Sequence, residues 1–219
     1  GGRRHVQRRD QRVRELWRVG GRLRGPALHA EGRRRGGVWT RAIELLSAMS
    51  ASRKHASTIT YNAAISACEK GAQWELALEL LGSMIELRVA PNTLSFNAAV
   101  SACEKGAQWL CVVALLGSMQ AMRVTPDVVT CSAAMSACEK AANWRLALSL
   151  FSQMPRLRVA PNRVTCGAAT KACERASQWQ FALALFHSAH SLRVLPDVVT
   201  CSTAISASAK GYRILACLQ

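Results

Sequence analysis

Polar and charged side chains recur every 35 residues along most of this chain of 219 residues. We number the positions of the repeat 1–35, starting at Thr58, Thr93, Val128, Arg163 and Val198. Position 13 is cationic in every copy: Lys70, Lys105, Lys140, Arg175 and Lys210. Position 5 holds Asn62, Asn97, Ser132, Gly167 and Ser202, and position 35 holds Asn92, Asp127, Asn162 and Asp197. A Lys once per repeat suits a polymer with one phosphate per step. The polar groups at positions 5 and 35 offer donors and acceptors that differ between copies.

The cysteines and histidines do not combine into a metal-binding or catalytic motif. An odd total of nine Cys without a Cys-x-x-Cys motif argues against both a disulfide framework and a zinc site. Seven Cys recur at positions 4 and 11: Cys131, Cys166, Cys201, Cys68, Cys103, Cys138 and Cys173. We expect these, and Cys111 and Cys217 outside those registers, to pack as small apolar residues in a reducing compartment. His55, His187 and His190 are isolated, so no catalytic residue, metal ligand or cofactor site is predicted.

Two amphipathic helices per repeat must position these side chains. Positions 4, 7, 8 and 11 are small or apolar, as in Tyr61, Ala64, Ile65 and Cys68, which is the spacing of one helix face. A second helix is predicted to open at the Trp of position 17 and to end before the Pro of position 34. The recurrent Trp residues are interpreted as core: Trp39, Trp74, Trp109, Trp144 and Trp179. Since neither helix buries its apolar face alone, the expected fold is an all-α solenoid of tandem helical hairpins.

The ends of the first helix also carry sequence signals. Thr or Ser at position 3, as in Thr60 and Ser95, is a candidate N-cap. Gly or Ala at position 14, as in Gly71 and Ala141, is expected to begin a short turn. Glycine tolerates the left-handed conformation that often closes a helix, so we expect that conformation at position 14.

Positions 5, 9, 12 and 13 fall on one side of the first helix, opposite positions 7 and 11. A solvated helix face would explain their polarity. It would not explain why the apolar positions barely vary while position 5 changes among Asn, Ser and Gly, and position 35 alternates between Asn and Asp. A constant scaffold with variable polar pairs favours a modular reader of a polymer.

The register divides the chain into a leader and an array. Residues 1–37 hold 12 Arg and three acidic residues and lack an apolar period, so a disordered leader is expected. Such a leader is typical of an organelle transit peptide, an RNA-binding tail or mistranslated flanking sequence. Residues 38–57 match the second half of a degenerate repeat, and full repeats occupy 58–92, 93–127, 128–162 and 163–197, with a truncated copy at 198–219. The net charge of +16 favours an anionic partner. No apolar run reaches 18 residues, so no membrane partner is expected.

The array resembles pentatricopeptide repeat proteins of the P-type. The matching segments are Thr60-Tyr61-Asn62, Cys68-Glu69-Lys70-Gly71, Ala77-Leu78, Leu80-Leu81, Met84 and Val89-Ala90-Pro91-Asn92, repeated every 35 residues. The resemblance implies an α-α superhelix that binds single-stranded RNA, about one base per repeat. It implies that positions 5 and 35 face the base edge and that the cation at position 13 lies near the phosphate. It also implies an aliphatic wedge between bases at position 2: Ile59, Leu94, Val129, Val164 and Val199.

The same resemblance implies a role in RNA processing, stability or translation in a chloroplast or a mitochondrion, and it allows for protein partners in that processing. From the family's pairing rules, Asn62 with Asn92 prefers a pyrimidine, Asn97 with Asp127 prefers U, and Ser132 with Asn162 prefers A. No base is assigned to Gly167 with Asp197, and Ser202 has no position-35 partner in this chain. The alternative is a protein-binding solenoid that acts as an adaptor or scaffold, because helical repeat surfaces also bind peptides.

Overall fold

A computed structural model describes residues 37–51, 56–191, 194 and 198–217. Within these residues the chain forms ten α-helices and no strand. They are α1 (Val38–Ala51), α2 (Thr58–Lys70), α3 (Trp74–Glu86), α4 (Thr93–Lys105), α5 (Trp109–Ala121), α6 (Val128–Lys140), α7 (Trp144–Gln153), α8 (Arg163–Arg175), α9 (Trp179–Ser191) and α10 (Val198–Cys217). The predicted leader lies outside the described residues except for Gly37.

The helices follow the 35-residue register. Each first helix from α2 to α8 spans positions 1–13, and each second helix begins at the Trp of position 17. The chain divides into two compact units between Thr125 and Pro126. The first contains α1–α5 and the second contains α6–α10. The predicted all-α array of helical hairpins is confirmed.

The first helices begin two residues earlier than the predicted N-cap. Their N-caps are Ser57 for α2 and the position-35 residue for α4, α6 and α8, and the position-3 residue is the third residue of the helix. The prediction that position 3 caps the helix is therefore wrong. The position-35 carbonyl already accepts the first bond of the helix, for example from Phe96 N to Asn92 O at 3.2 Å, and this makes Asn92 the capping residue.

The first helices end in a turn whose left-handed residue is position 15 and not position 14. Gly71 has φ −83°, whereas Ala72 has φ 53°. Gln73 N then donates to Cys68 O at 2.9 Å and Ala72 N to Glu69 O at 3.1 Å, which is the pattern that closes many helices. Glycine at position 14 has a packing reason instead. A Cβ added to Gly106 would overlap Cδ1 of Trp74 in the preceding repeat.

One second helix is shorter than the others. Helix α7 has 10 residues and stops at Gln153, where α3 and α5 continue for 13 residues. Pro155 follows two residues later. Proline has no backbone N–H to donate, and it disfavours the helical conformation of the residue before it. A single substitution at position 28 thus shortens the hairpin without changing the repeat length.

In the first unit, hairpins stack so that α2 packs on α1, α3 and α4, and α4 also packs on α3 and α5. The predicted face of the first helices is buried: Tyr61, Ala64, Ile65, Cys68, Phe96, Ala99, Val100 and Cys103 are at most 5% exposed. Leu81, Met84, Leu115 and Met119 of the second helices complete this core. The helix periodicity therefore correctly identified the buried face.

In the second unit, α8 packs on α6, α7, α9 and α10. Met135, Met154, Ala169, Cys173 and Ala182 form its central cluster, with Trp144 and Trp179 packed against the side. These Trp rings are half-buried, and Trp144 stacks on Phe181 with ring centroids 5.0 Å apart. The repeated Trp residues thus lie at the edge of the core, where they contribute to the packing between neighbouring hairpins. No helix in the described part of the chain is both long and apolar enough to cross a membrane.

Candidate functional site

The residues at position 35 are held by the helices that they cap. Asn92 Oδ1 accepts from Ser95 N at 3.0 Å, Asp127 Oδ1 accepts from Thr130 N at 2.9 Å, and Asn162 Oδ1 accepts from Thr165 N at 2.9 Å. In each case the position-3 hydroxyl returns a bond by accepting from the backbone N–H of the capping residue. This reciprocal capping box fixes the side-chain rotamer. The fourth member, Asp197, lies outside the described residues.

The structure brings positions 5 and 35 of one repeat into direct contact. Asn62 Nδ2 donates to Asn92 Oδ1 at 3.2 Å, and the Ser95 hydroxyl donates to Asn62 Oδ1. Asn62 is only 8% exposed, so its amide is oriented by the protein and not by solvent. Asn92 is exposed, and its Nδ2 group makes none of these bonds. The pair therefore presents the two N–H donors of Asn92 on a fixed side chain.

The other copies of position 5 have different surroundings. Asn97 has the same 8% exposure on α4. The hydroxyls of Ser132 and Ser202 donate to carbonyl oxygens of their own helices, Ser132 to Val128 at 2.7 Å and Ser202 to Val199 at 2.9 Å. A Cβ added to Gly167 would lie 3.3 Å from Oγ1 of Thr200. Along the array, position 5 thus changes from a buried Asn amide to the shorter side chain of Ser or to Gly. The space available beside the position-35 residue therefore differs between repeats.

The aliphatic residues at position 2 are exposed although they are large and apolar. Ile59 is the most exposed at 81%, and the exposures of Leu94, Val129, Val164 and Val199 lie between 48% and 62%. Position 2 is in the first turn of each first helix, three residues before position 5. A recurrent exposed aliphatic side chain beside a fixed polar pair is suited to contact a flat apolar ligand. The contact would remove apolar surface of the side chain from water, which is favourable.

The cations at position 13 are paired with acidic residues that the sequence analysis did not single out. Lys105 Nζ lies 2.9 Å from Glu69 Oε1, Arg175 Nη2 lies 3.3 Å from Glu139 Oε1, and Lys210 pairs with Glu174. In each pair the Glu is at position 12 of the preceding repeat. The signal was present in the repeated Cys-Glu-Lys/Arg segments, where each cation falls 36 residues after a Glu.

The pairs remain at the surface. The side chains of Lys105, Arg175 and Lys210 are 40% to 50% exposed, whereas the Glu side chains are 17% to 23% exposed. Hydrogen bonding from Lys210 lowers the pKa of Glu174, aided by the hydroxyl of Ser206. Lys70 and Lys140 end α2 and α6 in the same register. The cations are therefore oriented by the preceding repeat while they stay accessible to an anion.

Within the described residues, no group of three or more His, Cys, Asp and Glu side chains could hold a metal ion. What the surface offers is amide and carboxylate hydrogen bonding, exposed aliphatic side chains and accessible cations, repeated at the spacing of the hairpins.

The chain is similar to known proteins at the levels of family and structure. The family model of the pentatricopeptide repeat domain matches residues 44–105 and 114–175. No curated protein matches the sequence. Among solved structures, the pentatricopeptide repeat protein PPR10 in complex with an 18-nt psaJ RNA element matches 93% of this chain with 23% identity and a TM-score of 0.66.

Two further solved structures show the same fold. PPR10 from maize matches 79% of the chain with 25% identity and a TM-score of 0.63. The PPR domain of Arabidopsis thaliana protein-only RNase P 1, in complex with tRNA, matches 93% of the chain with 12% identity and a TM-score of 0.69. This chain spans 27% of the PPR10 chain in the RNA complex and 96% of that Arabidopsis domain. Since the family model covers more than half of the sequence, the chain belongs to the pentatricopeptide repeat family.

Proposed function

We propose that this chain binds single-stranded RNA and reads about one base per repeat through positions 5 and 35. The observation that carries the proposal is the network of Asn62, Asn92 and Ser95, in which a buried amide fixes an exposed one. A fixed pair of donors discriminates between base edges because a mismatched edge would leave a donor without a partner. PPR10 and the Arabidopsis PPR domain were both solved with bound RNA, which supports this class of ligand.

The remaining repeated groups fit the other parts of a nucleotide. The exposed aliphatic residue at position 2, such as Ile59, would pack against the face of a base. The cation at position 13, such as Lys105, would attract the phosphate as a point charge. In the first repeat, the free N–H donors of Asn92 match the acceptors on the pairing edge of a pyrimidine. Along the chain the preferred sequence is pyrimidine, U, A and any base, read 5′ to 3′.

We extend the proposal to the cellular setting that the resemblance to pentatricopeptide repeat proteins implies. An array that recognises a short single-stranded segment is suited to RNA processing, stability or translation, and we place that role in a chloroplast or a mitochondrion. Stacking contributes roughly 1–3 kcal/mol per base, and association itself costs several kcal/mol. Four repeats alone should therefore bind with a dissociation constant on the order of micromolar.

Selection from a random RNA pool tests the proposal. The purified chain should enrich single strands that contain a pyrimidine followed by U and A, and a competing duplex of the same sequence should not displace them. Enrichment of no motif, with equal binding of single and double strands, would refute base reading. Absence of RNA binding, combined with saturable capture of a peptide, would favour the protein-binding adaptor instead.

A further inference from the structure

The repeat at 93–127 contains two cysteines that touch each other. Cys103 is at position 11 near the end of α4, and Cys111 is at position 19, the third residue of α5. Their side chains lie close enough for the two thiols to interact electrostatically. In the other full repeats position 19 is Leu76, Leu146 or Phe181. Among the full repeats, this one alone has Cys at both positions.

The contact follows from the hairpin geometry and is not a chance approach of two side chains. In the repeat at 128–162, Leu146 occupies position 19 and packs against a cluster that contains Cys138 of position 11. Positions 11 and 19 therefore belong to the same packed region of the hairpin in this repeat as well. Replacement of the aliphatic residue by Cys at position 19 is enough to create a pair of adjacent thiols.

The two thiols differ in access and in proton affinity. Cys103 is 0% exposed, whereas Cys111 is only partly buried. The interaction with the Cys103 thiol lowers the pKa of Cys111, and the same interaction, together with burial, raises the pKa of Cys103. Cys111 also lies in the first turn of α5, where the helix dipole favours a thiolate. The accessible sulfur is thus the more nucleophilic one, with a resolving thiol beside it.

The remaining buried cysteines lack this arrangement. Burial raises the pKa of Cys68, Cys138 and Cys173 to about 11, so each stays a protonated thiol. Buried thiols of this kind are inert towards oxidants. The three equivalent thiols at position 11 of the other full repeats are therefore not expected to take part in this chemistry.

We propose that Cys103 and Cys111 form a redox-active dithiol that a hydroperoxide converts into a disulfide between α4 and α5. The Cys111 thiolate attacks one oxygen of hydrogen peroxide, the O–O bond breaks, and the hydroxide that leaves takes up a proton to become water. Cys111 is then a sulfenic acid. The Cys103 sulfur loses its proton and attacks the Cys111 sulfur, and the S–O bond breaks to release a second water. Two thiols lose two electrons, which the peroxide accepts.

Limited oxidation of the reduced, full chain by hydrogen peroxide, followed by alkylation of the remaining thiols, tests the proposal. Trypsin separates the two cysteines because Lys105 lies between them, and it yields peptides 89–105 and 106–123 with one Cys each. Mass spectrometry should find these two peptides joined as the main oxidised product, and dithiothreitol should separate them. Oxidation spread over many cysteines, with Cys111 no faster than the others, would overturn the proposal.

Matched variants locate the chemistry. Cys111→Ala should abolish the link, and Cys138→Ala, which removes the equivalent thiol of the next repeat, should leave it unchanged. Leu146→Cys should add a second link, between peptides 124–140 and 146–156, because Leu146 packs against the cluster that contains Cys138. Circular dichroism verifies that each variant is folded. If the folded Leu146→Cys variant formed no second link, side chains at positions 11 and 19 would not be adjacent across the hairpin, and the proposal would be refuted.

Discussion

At the scale of single residues, position 35 combines a structural task with the proposed reading of a base. Asn162 caps α8 by accepting from Thr165 N at 2.9 Å, and Asp127 makes the same bond to Thr130 at the same distance. An Asp at residue 162 should therefore cap α8 equally well. The two side chains differ at the ligand, since an amide donates and accepts while a carboxylate only accepts.

We predict that Asn162→Asp moves the preference of the repeat at 128–162 from A towards G without a loss of stability. A carboxylate can accept hydrogen bonds from the N–H groups of the guanine pairing edge. The Nδ2 group of Asn162 cannot accept them, because it is itself a donor. The measurement is the affinity for a series of RNAs that differ only in the base proposed to contact Ser132 and Asn162. Unchanged preference with binding intact would mean that this pair does not read a base.

Asn162→Ala serves as the control for the cap. It removes the side-chain oxygen that satisfies Thr165 N, and loss of an N-cap costs about 1 kcal/mol. Urea unfolding should detect that loss in the Ala variant and not in the Asp variant. Equal destabilisation of both variants would contradict the cap geometry.

The position-13 cations likewise combine an ion pair with the proposed contact to phosphate. Lys105 is shared between Glu69 and any phosphate that reaches it, because its Nζ lies 2.9 Å from Glu69 Oε1 and its side chain is 40% exposed. Glu69→Gln removes the competing charge. An exposed ion pair contributes roughly 0.2–1 kcal/mol, so RNA affinity at low salt should rise by up to about fivefold.

Glu79→Gln is the charge-matched control for this variant. Glu79 is an exposed residue of α3 in the same repeat, and its neutralisation changes the net charge by the same amount. A filter-binding titration of both variants separates a local effect from a general one. If the two variants gain affinity equally, the ion pair does not restrain Lys105.

At the scale of the helices, the contact between a Trp and the following position 14 determines which small residue is tolerated. Gly106 lies against the ring of Trp74, and Gly71 lies against Trp39 in the same way. At Ala176 the preceding Trp144 instead stacks on Phe181. For Ala176, the alanine at position 14 thus coincides with a Trp ring that has an aromatic neighbour.

Gly106→Ala should destabilise the chain although Gly106 has φ −79°, a conformation in which Ala is usually stabilising by about 0.4–1 kcal/mol. The added Cβ would force Trp74 out of its place. Gly117→Ala is the control, because a Cβ there would meet no atom within 4 Å, and it should stabilise α5 by up to about 1 kcal/mol.

Urea unfolding of Gly106→Ala, Trp74→Ala and the double variant completes the test. Trp74→Ala alone should cost less than the roughly 3–5 kcal/mol of a fully buried Trp, since this ring is half-buried. The double variant should be no less stable than Trp74→Ala. A further loss on addition of Gly106→Ala would show that the ring is not what Gly106 avoids.

The helices were predictable from the sequence because apolar spacing reports directly which face is buried, as at Ile65 and Cys68. The caps were not, because Ser95 and Asn92 are both good capping residues and only the register of the first backbone bond decides between them. The ion pair of Lys105 with Glu69 was also missed. It joins residues 36 apart, and a repeat examined one copy at a time does not reveal partners between copies.

At the scale of the whole chain, charge determines how RNA binding should respond to salt. The net charge of +16 is concentrated at the start of the sequence, where residues 1–37 hold 12 Arg and three acidic residues. In the array, by contrast, Lys105, Arg175 and Lys210 are each offset by a Glu of the preceding repeat. Two different sources of electrostatic affinity are therefore present, and only the second has the spacing of the proposed base readers.

We predict that deletion of residues 1–36 weakens binding to all RNAs alike while the order of preference among sequences is retained. Single strands release about 0.7 counterions per neutralised phosphate. With at most one phosphate for each of the five position-13 cations, the slope of log K against log salt should be no steeper than about −3.5 in the deleted chain. The intact chain should give a steeper slope, because its Arg-rich segment adds contacts that carry no sequence information. Titrations at several salt concentrations, with one preferred and one scrambled RNA, measure both quantities. If the deletion instead abolished the difference between the two RNAs, sequence recognition would reside in residues 1–36 and not in the repeats.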